Sequence, residues 1–390
     1  MAGMSSMLFI GDSKLFVKQQ TKYVGNQLLR KNTHSLCTRT HRRHSRIYLV
    51  ACTGKPWKVL LLGGTRFSGL YLARELALSG HQVVLFNRGN VPLDHIKIRG
   101  ETEKEFQTRL SNTRWIKGDR TQSHDIMHVI NSEKWDAIFD NNGRELSDSK
   151  PWIDGLRHSI QHYIYMSSAG VYKESGLLPH GEQDEIDPNS RHKGKWETEE
   201  YLKQSEIPFT CIRPTYIYGP RNYNSVEEWF FKRIDQNRPI PIPGHGLHIT
   251  GLGHVEDLAK AMVLALGNQQ AMSQTYNIQG RHSVTFDGFA KLCATAMGKD
   301  PDQLELVHYD PKKAPKDKKL FPFRPQHFFC SCAKAERELN YMEHWDLLSG
   351  LRDSYENDFV EKKKRNAISL DFSQDDLILQ SLKEAKGMLV

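Results

Sequence analysis

"KVLLLGGTRFSG", residues 58–69, runs from an unbroken apolar stretch through two glycines into a helix-like segment. A continuous apolar run ending in glycine is the pattern of a parallel strand buried on both faces. Gly63 and Gly69 fit the outer positions of GxxGxxG, in the strand–turn–helix context that makes such a motif informative. The first glycine permits a tight turn and the last a close helix–strand approach. The middle position, where bare backbone would approach a pyrophosphate, is Arg66. Its guanidinium can meet phosphate directly, and a helix N-terminus favours an anion.

Outward from this turn the alternation continues. "FSGLYLARELALSG" (67–80) spaces its apolar residues as a helix and stops at Gly80, and "HQVVLFNRG" (81–89) reads as a second buried strand. "RWIKGD" (114–119), "WDAIFD" (135–140) and "HYIYMSS" (162–168) follow, with helical stretches between them. The class is α/β: a Rossmann-like doubly wound parallel sheet. After about residue 175 loops rich in Pro and Gly interrupt shorter elements, which predicts a smaller C-terminal lobe of substrate-binding type. The expected division is 1–52 as an organelle transit segment, 53–270 as the Rossmann-like domain with insertions from the smaller lobe, 271–360 as the rest of that lobe, and 361–390 as a charged tail, helical or disordered.

The second strand ends in Asn87-Arg88, without the acid that binds a ribose 2′-hydroxyl. If a dinucleotide binds, Arg88 suits a 2′-phosphate, so NADP is expected over NAD. The other reading of the same residues is a Rossmann fold with a vestigial nucleotide pocket.

The formal charge of the 390-residue chain is +8, and its placement matters more than its size. Residues 1–50 hold nine Lys or Arg and one acid, Asp12, leaving 54 − 9 = 45 basic and 46 − 1 = 45 acidic residues beyond them. Whole-chain basicity is therefore no argument for nucleic-acid binding; only local patches are. The first 50 residues are rich in Ser, Thr, Lys and Arg and lack a continuous apolar core, as in an organelle transit peptide cut near Ala51 or Cys52. The alternative is a retained basic arm that binds nucleic acid. No apolar run reaches membrane-spanning length. Six scattered cysteines show no CxxC or finger spacing, so zinc is not implied.

The order "GGTRFSG", "KGDR", "YMSSAGVY", "CIRPTYIYGP" and "GHVEDLAKAM" resembles the extended short-chain dehydrogenase/reductase superfamily, its epimerase/dehydratase branch, from Lys58 to about Asn277. The resemblance implies dinucleotide contacts at Gly63, Arg66, Gly69, Arg88 and Asp119. It also implies a Ser at Ser168 and a Tyr-x-x-x-Lys pair for the redox step. Lys195 fills the lysine position, but Arg191 stands where the tyrosine belongs. Arginine stays protonated and cannot exchange a proton in the tyrosine's place. Ordinary epimerase or reductase chemistry is therefore not expected.

A narrower likeness spans nearly all of the mature chain. "LFNRG", "DNNGRE", "SSAGVY", "DPNSRHKGKWETE", "YIYGPRNYNSVEEWFF", "RPIPIP", "VHYDPK" and "FPFRPQHFF" are similar to the plastid stem-loop-binding proteins of about 41 kDa, nearest the b type. This family likeness implies binding and endonucleolytic cleavage of plastid RNA at stem-loops. Its implied partners are plastid rRNA and ribosomal particles, the plastid transcription machinery, and an a-type paralogue or a second copy of the chain. Its implied address is the chloroplast stroma and nucleoid, with plastoglobules as a further one.

RNA contact needs cations for phosphates and flat groups for unpaired bases. Three stretches mix them. "SRHKGKW" offers Arg191, Lys193, Lys195 and Trp196; "KKAPKDKK" offers Lys318 and Lys319; "FPFRPQHFF" offers Phe323, Arg324, His327 and Phe328. A solvated loop and a lobe core are the plainer readings of the last two. For cleavage, His192, Lys195 and Ser168 are candidates for acid–base and phosphate-stabilising work, and Asp119, Asp140 and Asp184 for holding Mg2+. The competing functions are an NADP-dependent sugar-nucleotide epimerase or reductase and a non-catalytic ribosome or nucleoid scaffold.

Overall fold

In a computed structural model, residues 55–91, 97–98, 100–313 and 321–387 are described. The expected transit segment with its cut site, and Lys318 and Lys319, lie outside them. Strand β1 (Lys58–Leu62) leads through the glycine turn into α1 (Phe67–Leu78) and β2 (Gln82–Asn87). The alternation continues as α2 (Glu103–Ser111), β3 (Thr113–Lys117), α3 (Ser123–Ser132), β4 (Ala137–Asp140), α4 (Leu146–Leu156), β5 (His162–Met166), α5 (Lys193–Gln204) and β6 (Phe209–Pro214).

These six strands and one later strand form a seven-stranded parallel sheet. Numbered in chain order, with β11 (Gln274–Ile278) the later strand, the sheet runs β11-β6-β5-β4-β1-β2-β3. It reaches past residue 270, so the sheet continues into the segment expected to belong wholly to the smaller lobe. Its strand order reverses between β1 and β4, where open α/β sheets hold their ligands.

The apolar run of β1 is explained by the two covered faces. Val59 and Leu61 join one buried cluster, with α1 and α7 (Val255–Ala265); Leu60 and Leu62 join the other, with α3, α4 and Leu202 of α5. Leu60 is fully buried, and Leu60→Ala would cost about 2–5 kcal/mol.

The smaller lobe is built from β7 (Tyr216–Tyr218), α6 (Val226–Asp235), β8 (Ile240–Pro243), β9 (Ile249–Thr250), β10 (Leu252–His254), β12 (Val284–Thr285), α8 (Phe286–Ala296) and β13 (Leu306–Tyr309). Four C-terminal helices complete the chain: α9 (Ala333–Leu339), α10 (Leu347–Ser354), α11 (Val360–Lys364) and α12 (Ser373–Gly387). The core of this lobe is aromatic: Phe230, Phe286, Phe289, Phe321 and Phe323 pack together. Phe323 is therefore not an RNA platform. Its ring stacks on Phe286 at 5.6 Å and meets Phe289 edge-on at 5.1 Å. Phe328 differs: it is mostly buried, but it also lines the strand-end cleft. It is buried beside Tyr172 and Cys330, with Tyr216 edge-on and the Arg324 guanidinium over its ring. A Phe-rich stretch removes more apolar area from water by forming core than by facing solvent.

The charged tail is the helical form. Asp375 of α12 is buried and pairs at 2.7 Å with Arg233 of α6, which also lies over Trp229. Among the described residues no helix is long and apolar enough to cross a membrane.

Candidate functional site: a cationic cleft

The carboxyl ends of β1, β2, β4, β5 and β6 open onto a cleft of about 1360 Å3. Its floor is the glycine turn. Gly63 and Gly64 hold φ of +106° and +96°, which side-chain-bearing residues avoid. A Cβ on Gly69 would lie 2.7 Å from the Gly64 backbone nitrogen, so α1 approaches the turn only because this position is bare. Phe67, directly after Arg66, takes φ +35°, a strained conformation of the kind that clusters at binding sites. Asn87 donates its Nδ2 to the Gly63 carbonyl at 2.8 Å and ties β2 to the turn.

Seven cationic side chains line the cleft: Arg66, Arg88, Arg120, Arg144, Arg191, Lys195 and Arg324; the lining carboxylates are Asp119 and Glu145. Arg120 is neutralised by buried Asp140 at 3.0 Å. No carboxylate among the described residues forms a salt bridge with Arg66, Arg88, Arg144, Arg191 or Arg324. Five guanidiniums facing one concavity with no direct ion pair among the described residues, and only Asp119 and Glu145 as lining carboxylates, leave the cleft net positive and suited to an anion, because low-dielectric walls concentrate their field.

Of the SRHKGKW stretch, Arg191, His192 and Lys195 line the cleft, whereas Lys193 and Trp196 do not. Helix α5 starts at Lys193, so successive side chains turn about 100° apart and only part of the cluster can face inward. Lys193 pairs instead with Glu197 at 3.5 Å. The start of α5 sits close because Gly194 is bare: a Cβ there would overlap the Glu145 carboxylate. Lys195 sends its ammonium to the Met166 carbonyl at the end of β5, and lies 5.1 Å from the centre of the Tyr165 ring. Burial lowers its pKa to about 8; Asp140 opposes the fall, while Arg120 and Arg144 add to it.

His192 is the other perturbed group. Burial first, then Arg191, Arg324 and Lys195, lower its pKa to about 4, so the ring is neutral at pH 7. Arg191 Nε donates to its Nε2 at 3.1 Å. Its ring packs against Gly170, where a Cβ would come within 2.5 Å of it. Ser168 lines the cleft and its Oγ accepts from Gly170 N at 3.0 Å. The structure thus brings together Ser168, Arg191, His192, Lys195, Arg324 and Phe328. His327 is exposed and stands outside this lining, its Nδ1 accepting from Ile249 N at 3.0 Å.

The three aspartates expected to hold Mg2+ do not assemble. Asp140 is fully buried and accepts from Arg120, Ser149, Gly143 N and Tyr163. Asp184 pairs with His180 at 3.0 Å, and Asp119 accepts from Thr121. Among the described residues no group of three metal-binding side chains is close enough to share an ion. The three aspartates therefore do not form a shared metal site. The cleft residues do fit a dinucleotide in outline: a bare glycine cradle, Arg66 for the diphosphate, and Arg88 near Asp119 at the end of β2. Arg191 leaves that outline without the tyrosine proton donor.

Sequence reasoning missed Arg120 and Arg144, which follow "KGD" and "DNNG" at the ends of β3 and β4, and it missed Tyr223. The signal for the arginines was their place directly after a parallel strand.

The NAD dependent epimerase/dehydratase family profile matches residues 153–278. Chloroplast stem-loop binding protein of 41 kDa b from Arabidopsis thaliana is 46% identical over 342 residues, covering 87% of this chain and 88% of that protein. UDP-glucose 4-epimerase of Vibrio cholerae is 24% identical, over 65% of this chain and 81% of its own. Among solved structures, UDP-glucose 4-epimerase from Thermotoga maritima, with UDP-glucose, superposes with a TM-score of 0.64 at 18% identity, over 78% of this chain and 99% of its own. dTDP-glucose 4,6-dehydratase from Bacillus anthracis, in complex with NAD, gives 0.63 at 16%, over 79% and 98%. These two share the extended dehydrogenase/reductase fold with this chain.

Proposed function

The chain belongs to the family of the chloroplast stem-loop binding proteins of 41 kDa, and from that premise we propose that it is a chloroplast RNA-binding protein that grips phosphates in the strand-end cleft and cleaves RNA at stem-loops. The observation that carries the reading is the set of five arginines around one concavity that form no salt bridge among the described residues. Backbone phosphates supply most of the affinity in nucleic-acid complexes, and arginine meets them with two parallel donors.

Cleavage is attack of a ribose 2′-hydroxyl on the adjacent phosphorus. The bond to the 5′-oxygen breaks, and a proton passes from the 2′-oxygen to the leaving 5′-oxygen. His192, neutral at pH 7, is the proton acceptor within reach, and its Nε2 becomes free when Arg191 turns to a phosphate. Lys195 and Arg191 offset the charge growing on the pentacoordinate phosphorus. The same reading assigns the protein to rRNA metabolism in the stroma and nucleoid, beside ribosomal particles, the transcription machinery and an a-type paralogue or second copy. Plastoglobule association belongs to it as well.

The test is anisotropy of a labelled stem-loop RNA with the full chain, so that the basic N-terminal arm is common to every sample. Arg66→Glu with Arg88→Glu should weaken binding at least tenfold. His192→Ala should remove cleavage, with or without chelator, while leaving binding within about twofold. Binding by the reversal variant equal to wild type would sink the proposal. Cleavage that survives His192→Ala would remove the assigned base.

A second reading, an NADP-dependent epimerase or reductase, is favoured by the glycine cradle and Arg88 and opposed by Arg191. Turnover of any nucleotide sugar with NADP would establish it.

A further inference from the structure

Tyr223 is 74% exposed, the only exposed Phe, Tyr or Trp among the described residues. It lies on the rim of the cationic cleft. Folding gains little from a ring left in water, yet the backbone around it is held on both sides. Asn222, itself buried, donates its Nδ2 to the Ile217 carbonyl at 2.9 Å and accepts from Asn224 N at 2.9 Å. Ser225 then caps α6 by accepting from Glu228 N at 3.1 Å. The ring stands edge-on to Phe67, centroids 6.3 Å apart, and Phe67 directly follows Arg66. A solvent-facing aromatic ring on a hydrogen-bonded turn thus shares the cleft lining with Arg66, one residue from the Phe67 ring it packs against.

Stacking on such a ring needs a base whose face is free. Paired RNA keeps its bases stacked inside the helix, and a wide shallow groove is all it shows to side chains. Unpaired nucleotides offer a face and a phosphate within one residue's length, and proteins hold them with alternating cations and aromatic rings. The cleft volume of about 1360 Å3 lies just above that of small-ligand pockets, roughly 300–1,000 Å3, a size that suits a few splayed nucleotides.

We infer that the cleft takes unpaired RNA, the loop of a stem-loop or a strand beside it, with Tyr223 stacking on a base whose neighbouring phosphate meets Arg66. This rests on the RNA-binding reading of the same cleft. It adds the strand state of the RNA and the residue that senses it.

The experiment compares three labelled ligands of equal charge with the full chain: a short single strand, the same strand with its central bases removed, and a duplex. Tyr223→Ala should weaken the intact single strand about tenfold, with Tyr223→Phe within about twofold of wild type. Neither change should alter binding of the base-free strand, and the duplex should bind more weakly than the single strand. Equal affinity of wild type and Tyr223→Ala for the intact strand, or duplex binding as tight as single-strand binding, would overturn the inference. Arg66→Ala with Arg88→Ala separates the two claims. If that variant loses all three ligands while Tyr223→Ala loses none, the cleft holds RNA but Tyr223 does not. If it binds all three as wild type does, the cleft reading itself fails.

Discussion

Lys195 carries the pH dependence of the site. Burial brings its pKa to about 8, against about 10.4 for a free lysine. Between those values the unfolded chain keeps a proton that the folded chain has released, so stability from this group rises with pH. RNA affinity moves the other way, because the cleft loses a positive charge as pH passes 8. Affinity measured from pH 7 to 9 should fall several-fold in the wild type and stay nearly flat in Lys195→Arg. A wild-type curve as flat as the variant's would remove Lys195 from the phosphate-binding set. His192 is neutral over this whole range, so it adds no slope. Neither pKa was legible in the sequence. "SRHKGK" shows four basic residues, but which of them desolvate depends on where α5 begins and on what packs against Gly170 and Gly194.

A buried ion pair helps fix helix α5 to the sheet. Glu199 is fully buried and accepts from Arg213 of β6 through both oxygens, and Ser167 bonds the same carboxylate. Arg213→Leu would strand that carboxylate and should cost about 3–5 kcal/mol in urea unfolding, with loosened positioning of Lys195 four residues earlier. A loss below about 1 kcal/mol would mean the pair is replaceable. At the other end, Asp375→Ala should cost a similar amount by uncovering Arg233, and no loss would show that α12 adds nothing to the lobe. The main-sheet strands were legible because each is a short apolar run bounded by turn residues, as in "KVLLLGG". The smaller lobe was not, since strands of two to four residues such as Ile249–Thr250 show no period. "FPFRPQHFF" divides for a related reason: composition cannot say whether a Phe-rich segment covers a core or faces a ligand, and here Phe321 and Phe323 cover a core while Arg324 and Phe328 line the cleft.

Across the whole molecule the charges beyond residue 50 cancel, 45 against 45, yet the cleft gathers cations from separate parts of the chain. Arg66, Arg88, Arg144, Arg191 and Arg324 are scattered over more than 250 positions, so no window of sequence displays them as a patch. Arg66, Arg88, Arg144 and Arg191 converge because parallel strands deliver their following loops to one edge, and Arg324 joins them from the segment before α9. The resulting field makes a specific demand. Each arginine that displaces a counterion from single-stranded RNA adds about 0.7 to the slope of log affinity against log salt. The decisive measurement is that slope for the full chain and for the combined Arg66→Ala, Arg88→Ala, Arg191→Ala variant, on one single-stranded RNA. If the cleft holds the phosphates, the slope falls by about 2 and affinity drops at every salt concentration. An unchanged slope and affinity would contradict the account and place the RNA elsewhere on the protein.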